Sequence, residues 1–417
     1  MPRIADGQIE RYLRLFGAVS IEGPKWCGKT WTGLNNANSA VYINDSKSQS
    51  KSMAELDPAL ILDGKSPRLI DEWQEVPKIW DAVRFKVDEN AEKGMFILTG
   101  SATPKTEGIM HSGAGRIGSI RMRSMSLYES GDSSGDVSLQ GLFDNVFENC
   151  FTGEKTLKEM IGLTVRGGWP DTIGKSSYES QKASKKYLRT ILNECTVKTD
   201  GKRRDLNKMR AFVRSISRNE CTVVSNSTLA KDMEETDAEK ISVQTVADYL
   251  NVLERLYIIE KQLSFNPGMR SSVRVGKSPK RRFTDPSLAA AALGATPEKL
   301  SKDLNTYGFL FESMCIRDLT VYAESLGAEV FHYRDGEGRE IDAIVELPDK
   351  RWGAFEIKLG ANRIDEAAEN LIKFEEKIEG TRNSEKPDVL CVICGLSSAA
   401  YRREDGVYVV PVTALRN

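Results

Sequence analysis

The sequence predicts an α/β chain: a parallel sheet around a glycine-rich phosphate-binding loop, a helical middle with a winged helix-turn-helix, and a second α/β domain at the carboxyl end. Three observations predict it. LFGAVSIEGPKWCGKTWTGL reads strand, loop, helix; Leu142 to about Val197 and the stretch ending YLNVLERLYIIEKQL follow helical periodicity; and beyond Thr284 strands and helices alternate again. The 417 residues exceed one ordinary core, and the expected domains are 1–130, 131–200, 201–290 and 291–417.

Composition narrows the function. Lysine plus arginine (59) nearly cancels aspartate plus glutamate (60), so only local basic clusters can point to a polyanion. The seven cysteines are scattered, no secretory apolar segment follows Met1, and no apolar run approaches the ~20 residues of a membrane span, which gives a cytoplasmic expectation. Two histidines, His111 and His332, argue against histidine-rich zinc sites and a Ser-His-Asp hydrolase. Chemistry must rest on carboxylates, lysine and backbone.

In the first domain, a strand over Ala18 to Ile21 enters the loop Gly23, Pro24, Lys25, Trp26, Cys27, Gly28, and a helix starts near Lys29 and Thr30. Every fixed position of G-x-x-x-x-G-K-[ST] is filled. Glycines let the chain curl so that amide N–H groups and the helix start face a phosphate, while Lys29 neutralises β/γ oxygens and Thr30 ligates magnesium. RLIDEWQEV supplies a second strand ending in Asp71 for the metal and Glu72 to polarise the attacking water. MFILTGSATP supplies a third, with Thr99 and Ser101 at its tip to sense the γ-phosphate. The implied cofactors are ATP and Mg2+.

These motifs, in this order, resemble the AAA+ superfamily of P-loop ATPases. The resemblance implies an arginine after the sensor strand, acting in cis or, with ATP-promoted homo-oligomers, in trans. Arg116 is the candidate, and Arg121 and Arg123 are its rivals.

The segment Glu129 to Gly141 is small, polar and turn-rich, and is expected to be an exposed loop. RGGWPDTI then interrupts the helical pattern. Val246, Tyr249, Leu250, Leu253 and Leu256 share one helical face behind Ser242 as N-cap, and the pattern reads as a winged helix-turn-helix. Its wing, MRSSVRVGKSPKRRF, would offer Arg270, Arg274, Lys277, Lys280, Arg281 and Arg282 to phosphates. A second basic cluster spans Lys198, Lys202, Arg203, Arg204, Lys208, Arg210, Arg214 and Arg218. Both point to nucleic acid, with DNA held through its backbone, because the presumed recognition helix SVQTVADYL carries no cation to read bases.

In the last domain Glu312 lies on an amphipathic helix, Asp342 on a strand, and Glu356 and Lys358 side by side at i and i+2 on the next. This pattern resembles the PD-(D/E)xK nuclease superfamily, whose core is restriction-endonuclease-like. The resemblance implies magnesium ligands at Glu312, Asp342 and Glu356, with Lys358 steadying a metal-bound hydroxide or charge on phosphorus. Cys391 and Cys394 are expected to be buried packing residues. The whole order resembles prokaryotic AAA-like ATPases ending in such a domain. Two functions fit it: an ATP-dependent machine on DNA carrying a nuclease, and an ATP-controlled switch or scaffold, as in defence or toxin-antitoxin systems, whose C-terminal domain binds without cleaving.

Overall fold

Strands in a parallel sheet are covered on both faces and read as near-continuous apolar runs, which is how Ala18, Val19 and Ile21 come to be fully buried in one strand. The computed structural model describes residues 2–101, 112–197, 204–237, 241–266, 278–379 and 385–417. It divides into two compact units, one made of 1–124 with 169–171 and 255–257, the other of 125–168, 172–254 and 258–417.

The first unit runs α1 (Ile4–Leu15), β1 (Ala18–Glu22), α2 (Lys29–Asn35), β2 (Ser39–Tyr42), α3 (Ser50–Leu56), β3 (Arg68–Asp71), α4 (Lys78–Asn90), β4 (Phe96–Gly100) and β5 (Ile117–Arg121). All five strands are parallel in the order β2-β3-β4-β1-β5. The third motif strand, β4, therefore lies between the loop strand and the acid strand. Trp73 and Trp80, with ring centroids 4.8 Å apart, anchor a core with Ile70, Ile79 and Leu98.

The second unit begins with β6 (Val137–Ser138), α5 (Leu139–Phe143), β7 (Cys150–Phe151), α6 (Leu157–Arg166) and α7 (Ser177–Val197). Residues 129–141 are only in part the exposed loop expected from their polarity: 129–136 are turns and irregular backbone with Gly131, Ser134 and Asp136 exposed, but the segment is tied down. Val137 pairs with Leu415, Ser133 donates to the Leu415 carbonyl at 2.8 Å, and Leu139 is fully buried, because a strand distant in sequence supplies the missing partners. The helices α8 (Leu206–Arg218), α9 (Asn226–Asp237) and α10 (Val243–Arg255) precede a two-stranded antiparallel ribbon, β8 (Ile259–Gln262) with β9 (Lys280–Phe283). Ser242 caps α10 through the Thr245 amide at 3.0 Å, as its position predicts.

Next come α11 (Pro286–Leu293), α12 (Pro297–Leu300), α13 (Leu304–Ser325), β10 (Glu329–Arg334), β11 (Glu340–Glu346), β12 (Trp352–Lys358), α14 (Ile364–Glu379), β13 (Val389–Cys394), β14 (Ala399–Arg402), β15 (Tyr408–Pro411) and β16 (Leu415–Arg416). A mixed seven-stranded sheet, β10-β11-β12-β13-β15-β14-β7, carries an antiparallel meander β10 to β12 and parallel pairs from β12 through β15. Cys391 and Cys394 are fully buried in β13, where packing is their role.

A buried charge set lies behind this sheet. Arg317 on α13, 1% exposed, pairs with Asp285 at 3.0 Å and Asp318 at 2.7 Å, and these carboxylates also accept from the Gly168 and Leu127 amides. Removing one partner strands uncompensated charge. Arg317→Leu is expected to cost about 3–5 kcal/mol of stability in urea unfolding; an unchanged midpoint would show that the set is not a structural necessity.

Candidate functional site

The phosphate loop is shaped by backbone that only glycine tolerates. Gly23 has φ 154°, and a Cβ there would stand 2.1 Å from the Met122 carbonyl oxygen; Gly28, at φ 99°, is the left-handed residue from which α2 starts. Between them Pro24 and Cys27 are buried, Lys25 is exposed, and Trp26 holds a left-handed φ of 75° while stacking on Trp169 at 5.3 Å between centroids. Lys29 is 6% exposed and its ammonium donates to the Gly23 and Pro24 carbonyls at 2.9 and 2.8 Å, so it lies across the mouth of the loop.

Strand order brings the other expected groups to this point. Thr99 is in register with both Ile21 of β1 and Asp71 of β3. Asp71 Oδ1 accepts from Thr30 Oγ1 at 2.8 Å and from Thr99 Oγ1 at 2.6 Å. Glu72 has a left-handed φ of 56°; its amide donates to Thr99 Oγ1, and its carboxylate accepts from Ser101 Oγ at 2.9 Å and from Gln74 Nε2. Magnesium usually takes one or two protein oxygens and completes its shell with phosphate and water, so Thr30 and Asp71 form a donor set that fits it. When bound, that ion would neutralise charge on the phosphates.

Arg116 does not join this group. It precedes β5 at the amino edge of the sheet, where its carbonyl accepts from the Ala18 amide, and its guanidinium pairs with Asp88 at 2.7 Å. The loop follows the carboxyl edge of the parallel β1, so Arg116 does not reach the phosphate site of its own chain. Arg121, level with Glu22 at that carboxyl edge, holds its guanidinium 5.1 Å from the centre of the Tyr257 ring, and the Tyr257 hydroxyl donates to Glu22 at 2.8 Å.

Sequence reasoning missed Arg3, Gln74, Trp169 and Tyr257. Arg3 is 8% exposed and donates to the carbonyls of Cys27 at 2.8 Å and Arg123 at 2.9 Å, bracing the loop from beneath. Nothing at position 3 signals this, whereas Gln74, two residues beyond Glu72, was within sight of the motif.

In the second unit Asp342, Glu356 and Lys358 do converge. Lys358 Nζ is 3.4 Å from Asp342 Oδ2 and bonds Glu356 Oε2; Asn370 donates to Glu356 Oε1 at 2.6 Å, and the Ile357 amide to Asp342 Oδ2 at 2.8 Å. Glu312 enters through an unexpected residue. Lys280 Nζ lies 2.9 Å from Glu312, 2.7 Å from Glu340 and 3.9 Å from Asp342. Burial and the charge of Asp342 push Glu312 and Glu356 upward. Burial pushes Asp342 up as well, but Lys358, Lys280 and the Ile357 amide outweigh it and hold it below the usual carboxylate range.

Two corrections follow. Among the described residues no group of three or more His, Cys, Asp or Glu side chains could hold a metal ion, and two ammonium groups stand among Glu312, Asp342 and Glu356, so this set does not fit magnesium as expected. Lys280, Arg281 and Arg282 are not a phosphate-binding wing: they are 3%, 9% and 3% exposed. Arg282 pairs with Glu260 at 2.5 Å and Arg281 donates to the Val224 carbonyl at 2.7 Å, because acids remote in sequence and backbone oxygens supply the counter-charges. Arg270, Arg274, Lys277, Lys198, Lys202 and Arg203 lie outside the described residues.

Residues 16–130 match the family model described as an AAA domain, 157–299 a domain of unknown function (DUF8612) and 307–415 a domain of unknown function (DUF4143). The amino-terminal region is thus similar to AAA domains. The chain is similar to an uncharacterized protein of Mycobacterium tuberculosis, 24% identical over 360 residues covering 85% of this chain and 73% of that protein. Among solved structures it is similar to a Walker-type ATPase of Pyrococcus abyssi, with TM-score 0.42 and 13% identity over 69% of this chain and 94% of that one. It is also similar to the Orc1 protein of Aeropyrum pernix in complex with DNA, with TM-score 0.25 and 12% identity over 71% of this chain and 94% of that one. Among the described residues no helix is long and apolar enough to cross a membrane.

Arg3→Ala leaves two inward-facing carbonyls short of a donor, a loss of about 1–3 kcal/mol. The expected result is a lower melting temperature and a raised KM for ATP with kcat less affected. An unaltered KM would mean that Arg3 does not brace the loop.

Proposed function

We propose that this protein binds and hydrolyses Mg-ATP at the loop of the first unit and couples that cycle, as a switch, to a nucleic-acid partner. The observation that carries the ATPase reading is that Thr30 at the start of α2 and Thr99 near the end of β4 both bond Asp71 at the end of β3, beside the loop that holds Lys29. Lys29 holds the phosphates, Thr30 and Asp71 hold magnesium, and Ser101 and Gln74 aim Glu72 at an attacking water. Lys29→Ala is expected to lose productive ATP binding. Glu72→Gln should keep binding while turnover falls by about 100-fold or more. Equal phosphate release by wild type and Glu72→Gln would take Glu72 out of this role.

Nucleic acid is the proposed partner because α8 exposes Arg210 and Arg214 one turn apart and belongs to a three-helix group followed by a β-ribbon. Such cations favour backbone contact. For Arg116 two readings remain, a surface ion pair with Asp88 and no further role, or a contact with a second copy in an ATP-dependent oligomer, since it is about half exposed and far from its own loop.

For the second unit, the helix α13, meander β10 to β12, helix α14 and strand β13 support the nuclease-like reading of the fold, with Asp342, Glu356 and Lys358 on adjacent strands. Satisfaction of every one of these charges by Lys280, Lys358, Asn370 and backbone favours binding without cleavage. Wild type given magnesium or manganese and assorted DNA substrates is expected to leave them intact while ATP turnover persists. Cleavage by wild type that disappears in Asp342→Ala and Lys358→Ala would establish the nuclease instead.

A further inference from the structure

Lys280 is the least expected member of the carboxylate cluster. It begins β9, is 3% exposed, and its ammonium lies within 2.9 Å of oxygens on Glu312 and Glu340, with Asp342 at 3.9 Å. Those carboxylates come from a helix and a strand, so the cation gathers side chains from separate elements. Arg282, two residues on, is paired with Glu260 across the ribbon, and the Phe283 amide donates to Glu220 at 3.0 Å, which anchors β9 in place. On the other flank of Asp342, Lys358 supplies a second ammonium.

We propose that Lys280 is the resident cation of this cluster, standing where a divalent metal would and excluding it. The proposal deepens the binding-without-cleavage reading of the second unit and rests on it. Electrostatics make the exclusion specific. A buried ammonium with three oxygen partners satisfies the same acceptors that a hard cation needs, and adding a divalent ion beside it would place like charges within a few ångströms in a poorly screened site. Removing the ammonium while keeping the carboxylates leaves buried anions without a counter-ion, which is the condition under which a metal binds. The charge of Lys280 thus decides whether the C-terminal unit is a metal protein.

The test titrates Mn2+ alone into the nucleotide-free full chain by calorimetry, comparing wild type, Asp342→Asn, Lys280→Met and Lys280→Met with Asp342→Asn. Wild type and Asp342→Asn are expected to give the same weak heats. Lys280→Met is expected to gain one site per chain, bound about tenfold tighter or more than any site in wild type, and to lose it again with Asp342→Asn. Asp342-dependent Mn2+ binding by wild type would overturn the proposal, as would a folded Lys280→Met that gains none. If Lys280→Met fails to fold, Lys280→Gln, which keeps a polar group among the carboxylates, replaces it in the same comparison with the same expected gain and the same overturning result. DNA cleavage is scored separately: metal binding by wild type without cleavage sinks the resident-cation role alone, whereas cleavage sinks the binding-without-cleavage reading.

Discussion

The site at the amino-terminal end depends on the insertion of β4 between β1 and β3. Two parallel strands that are not neighbours stand about 10 Å apart, so the gap between β1 and β3 must be filled by a strand that also carries a group to Asp71. β4 supplies it through Thr99, which is in register with both strands and donates to Asp71 while receiving the Glu72 amide. Strain then collects where it serves the site: Trp26 and Glu72 hold left-handed backbone, and the stack on Trp169 and the bonds from Ser101 and Gln74 keep their side chains in place.

The second unit is organised by buried charge rather than by apolar packing alone. Arg317 between Asp285 and Asp318, Arg282 against Glu260, and Lys280 among Glu312, Glu340 and Asp342 are all closed pairs or sets with almost no exposure of the cation. Such arrangements contribute little net stability compared with apolar residues, but they penalise any packing that separates the partners, and so select one arrangement of helices and strands. The same closure makes the cluster around Asp342 poor in open coordination positions.

Charge in sequence was the least reliable guide here. MRSSVRVGKSPKRRF has no acid within it, which reads as a solvated cationic ribbon, yet its last three cations are buried: Glu312, Glu340 and Glu260 arrive from elsewhere in the chain to meet Lys280 and Arg282, and the Val224 carbonyl meets Arg281. Residues 129–141 misled in the opposite sense: their polarity suits solvent, but Val137 and Ser133 meet the chain's last strand. Hydrophobic periodicity fared better. The strand over Ala18 to Ile21, the cap at Ser242 and the burial of Cys391 and Cys394 follow from neighbours a few residues away, where sequence distance and spatial distance coincide.

By itself the sequence determined the phosphate loop, since glycine at 23 and 28 and lysine at 29 act through local backbone geometry, and it determined which charged side chains lie at strand ends or side by side on one strand. Only the tertiary structure decided what those groups face. Strand order put Thr99 beside Asp71, which Thr30 also reaches, and left Arg116 at the far edge of the sheet, and the docking of β9 put an ammonium among Glu312, Glu340 and Asp342. The physical reason is range: a turn or a cap is settled over three or four residues, whereas the partner of a buried charge is whichever residue the fold brings within about 3 Å of it.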